Sequence, residues 1–528
     1  MVQSKFLTLE CCTASVSDVP AIIAVSSKSV LTLTHNVLRT AVSSFQTKLS
    51  VAGITTGDTV AACLPNSAEF VVAFLGTVLQ RAVSAPLNPA YKQEEFEFYL
   101  EDLKPKLVLV PRGAIFQDFH IIRAARRVGV PMAEVFWAPD GATLLLELTE
   151  KALPQRIASV QKPQSSDIAL VLHTSGTTGR PKAHNVPLTH GNLCRTIVNI
   201  QHTYDLSPAD RTMLVMPLFH VHGILASLLS PLSSGGSAVI PLRFSVSTFW
   251  DDFITHEANW YSAVPTIHQL LEKSPRPRVM PHIRFVRSCS SPLAPAMHAK
   301  LEAMMNAPVL EAYAITEASH QMTSNELPPG LRKAGSVGKP QGVDMIIANE
   351  NGQAGAQGSI GEVCVRGANV TENYLSVAGI PIEKSRSFFA DDSFRTGDQG
   401  YLDADGFLFL TGRIKELINK GGEKISPVEI DNFFMQHASV GEAVSFGIDD
   451  ELYGQNVAVA IELRQNSPEV SPEELTYWFA ERAAKFKIPK QVHIVSSIPK
   501  TATGKVQRRF VAQSIMEQSE KKAKKGQV

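Results

Sequence analysis

Between residues 168 and 182 an apolar run, Ile168-Ala-Leu-Val-Leu172, gives way to His173-Thr-Ser-Gly-Thr-Thr-Gly-Arg-Pro-Lys182. Glycines let backbone N–H groups close in on an anion, Ser and Thr hydroxyls add donors, and Lys182 adds charge. The segment reads as a buried strand feeding a phosphate-gripping loop, with Thr174, Ser175, Gly176, Thr177, Thr178 and Gly179 arranged around the anion. It is not a Walker A loop, because Pro181 stands where that pattern needs a glycine before its lysine.

Four more islands carry chemistry-bearing residues. Glu311-Ala-Tyr-Ala-Ile-Thr-Glu317 follows the apolar Pro308-Val-Leu310 and so lies at the carboxyl end of a strand. Phe394-Arg-Thr-Gly-Asp398, Gly412-Arg-Ile-Lys-Glu416 and Pro499-Lys-Thr-Ala-Thr-Gly-Lys-Val-Gln-Arg508 come later. Taken singly, Asp398 with Arg413 is a surface ion pair, Lys505 a solvated lysine, and Gly421-Gly422 a plain turn. Taken together and in this order, the five islands resemble the adenylate-forming superfamily of acyl-CoA synthetases, coumarate–CoA ligases, luciferases and peptide-synthetase adenylation domains. The likeness covers nearly the whole chain.

The resemblance implies a two-step reaction needing ATP, Mg²⁺ and CoA. A carboxylate is a poor electrophile, so it attacks the α-phosphate of ATP, giving an acyl-adenylate and pyrophosphate; the CoA thiol then displaces AMP. Lys505 is implied as the cation that stabilises charge growing on the α-phosphate. Asp398 would hold the ribose hydroxyls, with Arg413 assisting. Tyr313, in Glu311-Ala312-Tyr313, would stack on adenine, Thr316 would touch the α-phosphate, and Glu317 would hold Mg²⁺, a hard cation suited to oxygen ligands. Lys415 takes the hinge position, and Gly421 and Gly422 would admit the pantetheine arm after a lid swing.

The acid side is more particular. Relatives that take fatty or aromatic acids have a Gly-Ala-Ala-Pro type of segment where this chain has Arg287-Ser-Cys-Ser-Ser-Pro-Leu293. Three hydroxyls there suit a polar substrate, because buried hydroxyls cost free energy unless paired. Phe219-His-Val-His-Gly223 and His320 add imidazoles. With Trp260 to Gln269 and Gly412 to Pro427, these words resemble the oxalate–CoA ligases. His220, Ser288, Ser290 and His320 are the implied ligands of a small dianion. His220 and His222 each stay open between structural and thiol-channel roles, and no carboxylate or third ligand stands near them to complete a metal site.

Rival readings are a ligase for medium-chain or aromatic acids and, from another class, a non-catalytic adenylate- or RNA-binding relative. One departure from the family pattern stands out: the loop ends Arg180-Pro-Lys-Ala-His-Asn-Val186, without the usual glycine and with two extra residues. Asn185 is expected to supply a left-handed turn in its place.

These islands need a scaffold. Thr59 to Leu64, Leu107 to Val110, Ala169 to Leu172, Thr212 to Met216, Ser237 to Ile240 and Ile283 to Ser288 read as buried strands. Glu69 to Leu79 and Ala294 to Met305 have helical periodicity. Alternating strands and helices predict an α/β fold with parallel-rich sheets flanked by helices over residues 1–412. Tyr401 to Leu410 reads as a strand pair around an Asp-Gly turn, and residues 413–528 as a small mobile α+β lid beyond a hinge near Lys415. A net charge of zero gives no reason to expect nucleic acid. Six cysteines in 528 residues are no disulfide framework. No apolar run reaches spanning length, no signal peptide opens the chain, and the C-terminus lacks a Ser-Lys-Leu type of peroxisomal address. The expected compartment is the cytoplasm, with peroxisomal association left open; oligomeric state is not legible.

Overall fold

The computed structural model describes residues 7–26, 29–148, 161–174, 184–374, 387–389, 391–465, 467–501 and 505–525. Two large sheets dominate. One runs, edge to edge, Leu144–Leu148, Met132–Trp137, Leu107–Pro111, Thr59–Ala62, Val83–Pro86, Ile168–Thr174, His184–Thr189. The other runs Lys339–Pro340, His320–Ser324, Val309–Ile315, Phe285–Cys289, Trp260–Ala263, Arg211–Met213, Ser237–Pro241, Pro20–Val25, Val30–Thr34. Interior neighbours are parallel and the outermost pairs antiparallel. This is the parallel-rich α/β architecture expected from the alternating apolar runs.

The helix Ala68–Leu79, apart from Glu69 in its first turn, is buried on every side because it lies between the sheets. Ser67 caps it by accepting from the Phe70 N–H, and Gly76 lets Phe45 of the helix His35–Val51 approach so closely that a β-carbon would sit 2.9 Å from its ring. Leu107, Leu109, Leu170 and Leu172 of one sheet and Ile22, Ala238, Trp260, Phe285 and Leu310 of the other share a single core with this helix. Burial on both faces explains why these strands are continuous apolar runs rather than alternating ones.

The strand expected over residues 212–216 is shorter, Arg211–Met213. Pro217 has no N–H to extend a ladder, and the chain turns there, the His220 N–H donating to the Pro217 carbonyl.

A four-stranded antiparallel sheet follows: Asp344–Ala348, Gly361–Arg366, Phe394–Leu402 and Leu408–Arg413. Its last hairpin is the strand pair anticipated around Asp405-Gly406. Beyond a single turn at Ile414–Glu416, a separate five-stranded sheet begins at Ile418–Lys420. The helices Pro427–Phe434 and Pro472–Ala480 pack in one apolar cluster of this unit, while Val511 and Ile515 of the helix Arg508–Lys525 meet Val444, Phe446, Ala458 and Ala460 in another. Among the described residues no helix is long and apolar enough to cross a membrane.

Candidate active site

The strands Val309–Ile315 and Phe394–Leu402 bring Tyr313 and Asp398 together. The Tyr313 hydroxyl donates to Asp398 Oδ2, while Arg413 Nε lies 3.2 Å from Oδ1. Burial raises the Asp398 carboxyl above its ordinary range, and Arg413 and Tyr313 work against that rise. Burial and the adjacent carboxylate hold the Tyr313 phenol well above the usual range, so it is a donor. Tyr313 is itself buried, packed with Met322, Val363 and Phe394.

Glu317 sits in the single turn Thr316–Ala318 that ends this strand, and its Oε1 accepts from Tyr374 at 2.9 Å. Burial raises its carboxyl too. A half-buried carboxylate at a strand end is an oxygen donor of the type that Mg²⁺ takes alongside nucleotide phosphates. Among the described residues no group of three His, Cys, Asp or Glu side chains is placed to hold a metal ion. Glu311 is buried two residues before Tyr313; desolvation pushes it up to about 8 and only the Gly335 N–H opposes this. Neighbouring Ala312 is buried beside Cys289 in the ladder.

The residues around His222 form a dense polar cluster. His222 is fully buried at the start of the π-helix His222–Leu229, a geometry that concentrates at functional sites. Gly223 makes this approach possible, since a β-carbon there would lie 2.2 Å from the Pro217 carbonyl oxygen. His222 Nε2 is 2.7 Å from Ser262 Oγ and Nδ1 is 3.1 Å from Ser290 Oγ. Its ring stacks on His320, with centroids 5.0 Å apart. His320 Nε2 and Ser288 Oγ are buried with no hydrogen-bond partner among the described residues. Ser290, Ser319 and His320 all have positive φ (73°, 51° and 102°), backbone strain that a functional arrangement has to hold in place.

Lys505, carried by the small domain, reaches both halves. Thr501 and Lys505 exchange two hydrogen bonds, Thr501 N–H to the Lys505 carbonyl and Lys505 N–H to Thr501 Oγ1. Desolvation lowers the ammonium, and Arg413, Glu317 and Asp398 are near enough to act on it. Burial, then the charge of Lys505, pulls His220 down to about 3. Burial first, then Arg287 and Lys505 among the nearby charges, also holds His222 and His320 far below the ordinary imidazole range. Three neutral imidazoles among fixed cations are an electrostatic setting for an anion.

Not every sequence expectation falls inside this picture. Ser175, Gly176, Thr177, Thr178, Gly179 and Lys182 lie outside the described residues; Thr174 ends the strand Ile168–Thr174 opposite His184. Asn185 is a correction: it is extended within His184–Thr189, opposite His173, and not left-handed. Its side chain is committed instead, Nδ2 donating to Asp102 Oδ2 at 2.8 Å while His173 Nε2 holds the same oxygen at 2.7 Å. Gly421 and Gly422 form the exposed two-residue turn of a hairpin, with φ of 60° and 94°, which accounts for both glycines by backbone geometry alone. Lys415 lies in the single turn between the two domains' sheets.

Ser262, Tyr204, Gln321 and the guanidinium of Arg287 belong to the same polar cluster but had no role in the sequence reading. Arg287 is fully buried; Nε donates to Tyr204 at 2.7 Å, Nη1 to Ser262 at 3.1 Å and Nη2 to Gln321 at 3.2 Å. The one available signal was an arginine inside a strand otherwise made of Phe, Val, Ser and Cys.

Residues 12–375 match the AMP-binding enzyme family and residues 429–505 the AMP-binding enzyme C-terminal domain. The oxalate–CoA ligase of Saccharomyces cerevisiae is 48% identical over 88% of this chain and 88% of its own length. That of Arabidopsis thaliana is 44% identical over 94% and 96%. The crystal structure of ATP-bound MatB from Rhodopseudomonas palustris superposes with a TM-score of 0.84 at 28% identity, covering 96% of this chain and 98% of its own. With its ordered motifs, two-sheet body and separate C-terminal sheet, the chain belongs to the AMP-binding enzyme family.

Proposed function

We propose that the chain is an ATP- and Mg²⁺-dependent acid–CoA ligase whose acid is oxalate. A carboxylate oxygen of the acid attacks the α-phosphorus and pyrophosphate leaves. The CoA sulfur then attacks the acyl carbon of the adenylate, its proton is lost, and AMP leaves.

In this reading Asp398 and Arg413 receive the ribose, Tyr313 borders the adenine, Thr316 and the 174–182 loop with Lys182 meet the phosphates, and Glu317 ligates Mg²⁺. Lys505 neutralises charge at the α-phosphate. Residues 413–528 then turn as a lid about Lys415, which withdraws Lys505 and brings Gly421 and Gly422 to the thiol path. Arg508 supports a link between the lysine loop and the hinge, since it pairs with Glu416 at 3.3 Å as well as with Asp431 at 2.6 Å. Six buried free cysteines suit a reducing, cytoplasmic setting.

One observation supports the choice of acid: the cluster that this reading takes as the acyl side holds imidazoles, hydroxyls and an arginine. His220, Ser288, Ser290 and His320 are the groups that would meet the second carboxylate. The test is CoA-dependent AMP formation with oxalate, malonate, succinate, octanoate and coumarate side by side. Oxalate is expected to lead; octanoate or coumarate leading would overturn the assignment.

A further inference from the structure

We propose that Arg287 is the residue that selects a doubly charged acid, acting on the substrate's second carboxylate through a one-way hydrogen-bond relay, Arg287 to Ser262 to His222 to Ser290. This rests on the dicarboxylate reading above.

The direction of the relay follows from donor counting. A guanidinium only donates, so Ser262 Oγ accepts from Arg287 Nη1. Ser262 is fully buried, and its remaining contact is His222 Nε2 at 2.7 Å. Its hydroxyl hydrogen therefore goes to that nitrogen, which must be the unprotonated one. The imidazole proton is then on Nδ1, where it donates to Ser290 Oγ at 3.1 Å. Ser290 has accepted and keeps its own O–H to give outward. Each link points the same way and polarises the next, so the charge of a buried cation is delivered to a hydroxyl at the pocket wall.

The same geometry explains why the cation is there. Arg287 is charged at any working pH, yet its described partners are the oxygens of Tyr204, Ser262 and Gln321 and the Cys289 thiol, none of them a carboxylate. Buried charges ordinarily carry a counter-ion, because removing an ion from water is costly. Here the free protein supplies no carboxylate to the guanidinium among the described residues, and a dianion arriving at Ser290 would supply the missing charge. A monoanion spends its one carboxylate on adenylation and leaves Arg287 uncompensated. Arg287 is thus a positioning and selectivity residue, one layer behind the substrate.

The experiment compares wild type, Arg287→Met, Arg287→Lys and Ser262→Ala, full chain, with oxalate against glyoxylate, a monoanion of the same carbon count. Expected for Arg287→Met is a rise of about tenfold or more in KM for oxalate, the scale of losing one charge-assisted contact, with KM for ATP and kcat/KM for glyoxylate little changed. Arg287→Lys is expected to restore part of the loss. Ser262→Ala, which breaks the relay but keeps the charge, should reproduce the split. Oxalate should raise the melting temperature of wild type and not that of Arg287→Met.

Equal losses on oxalate and glyoxylate, or an unchanged oxalate KM in Ser262→Ala, overturn the proposal while leaving oxalate as substrate. If Arg287→Met does not fold, Ser262→Ala and Arg287→Lys decide it alone. A wild type that turns over glyoxylate or longer monoacids and no dicarboxylate overturns the function and this inference together.

Discussion

Asp398 and Arg413 face each other across the final rung of the Phe394–Leu402 and Leu408–Arg413 ladder, with 3.2 Å between carboxylate and guanidinium. The pair is therefore set by strand register, and Arg413 is also the last residue before the turn that carries Lys415. A ribose held here would sit at the joint between body and lid. Replacing Asp398 by Asn keeps the shape and removes the charge. The expected result is a fall of about 10- to 100-fold in kcat/KM for ATP, since hydrogen bonds to charged groups contribute about 1.5–3 kcal/mol, with little change in KM for the acid. Steady-state kinetics with each substrate varied in turn would check it; a loss confined to the acid would contradict the ribose role.

Lys505 serves only the first half-reaction in this scheme. Lys505→Ala should lower acid-dependent pyrophosphate exchange by about 10²–10³-fold, the usual scale for removing one electrostatic contact to a transition state. Transfer of a chemically prepared oxalyl-adenylate to CoA should be nearly unaffected. Equal damage to both steps would mean that the lid need not move this lysine out of the way.

The buried imidazoles make acid stability a sensitive readout. His220 and His268 both have folded values pulled down to about 3 by burial, against an ordinary value of 6.5. Between these limits the unfolded chain binds more protons than the folded one, so their contribution to stability is fully present above about pH 6.5 and lost progressively as pH falls toward 3. The melting temperature should drop steeply from pH 6.5 to 4.5. His268→Gln, whose site is bonded to Tyr261 at 3.2 Å and lies outside the proposed chemistry, should flatten that slope. An unchanged slope would show that other groups govern acid unfolding.

Much of this was readable from residue order. The helix Ala68–Leu79 and the strand Leu107–Pro111 lie where their apolar runs predict, because nearly every residue of each is buried. That Tyr313, Asp398 and Arg413 meet in one place fits their coming in short words of fixed order. Asn185 was misjudged for a physical reason: its propensity for left-handed backbone lost to a strand position that satisfies Asp102 through its side chain.

By itself the amino-acid sequence determined the layered α/β body, the family and the words of residues proposed to handle the nucleotide, since local periodicity and contiguous motifs specify these. It could not determine that Arg287, Ser262, His222 and Ser290 form one line of donors. Those residues are scattered over strands and a π-helix up to 68 positions apart, and whether a buried arginine has a carboxylate partner depends on which side chains the sheet places around it. Only the tertiary structure decides that, because a charge is compensated by its neighbours in space and not by its neighbours in the chain.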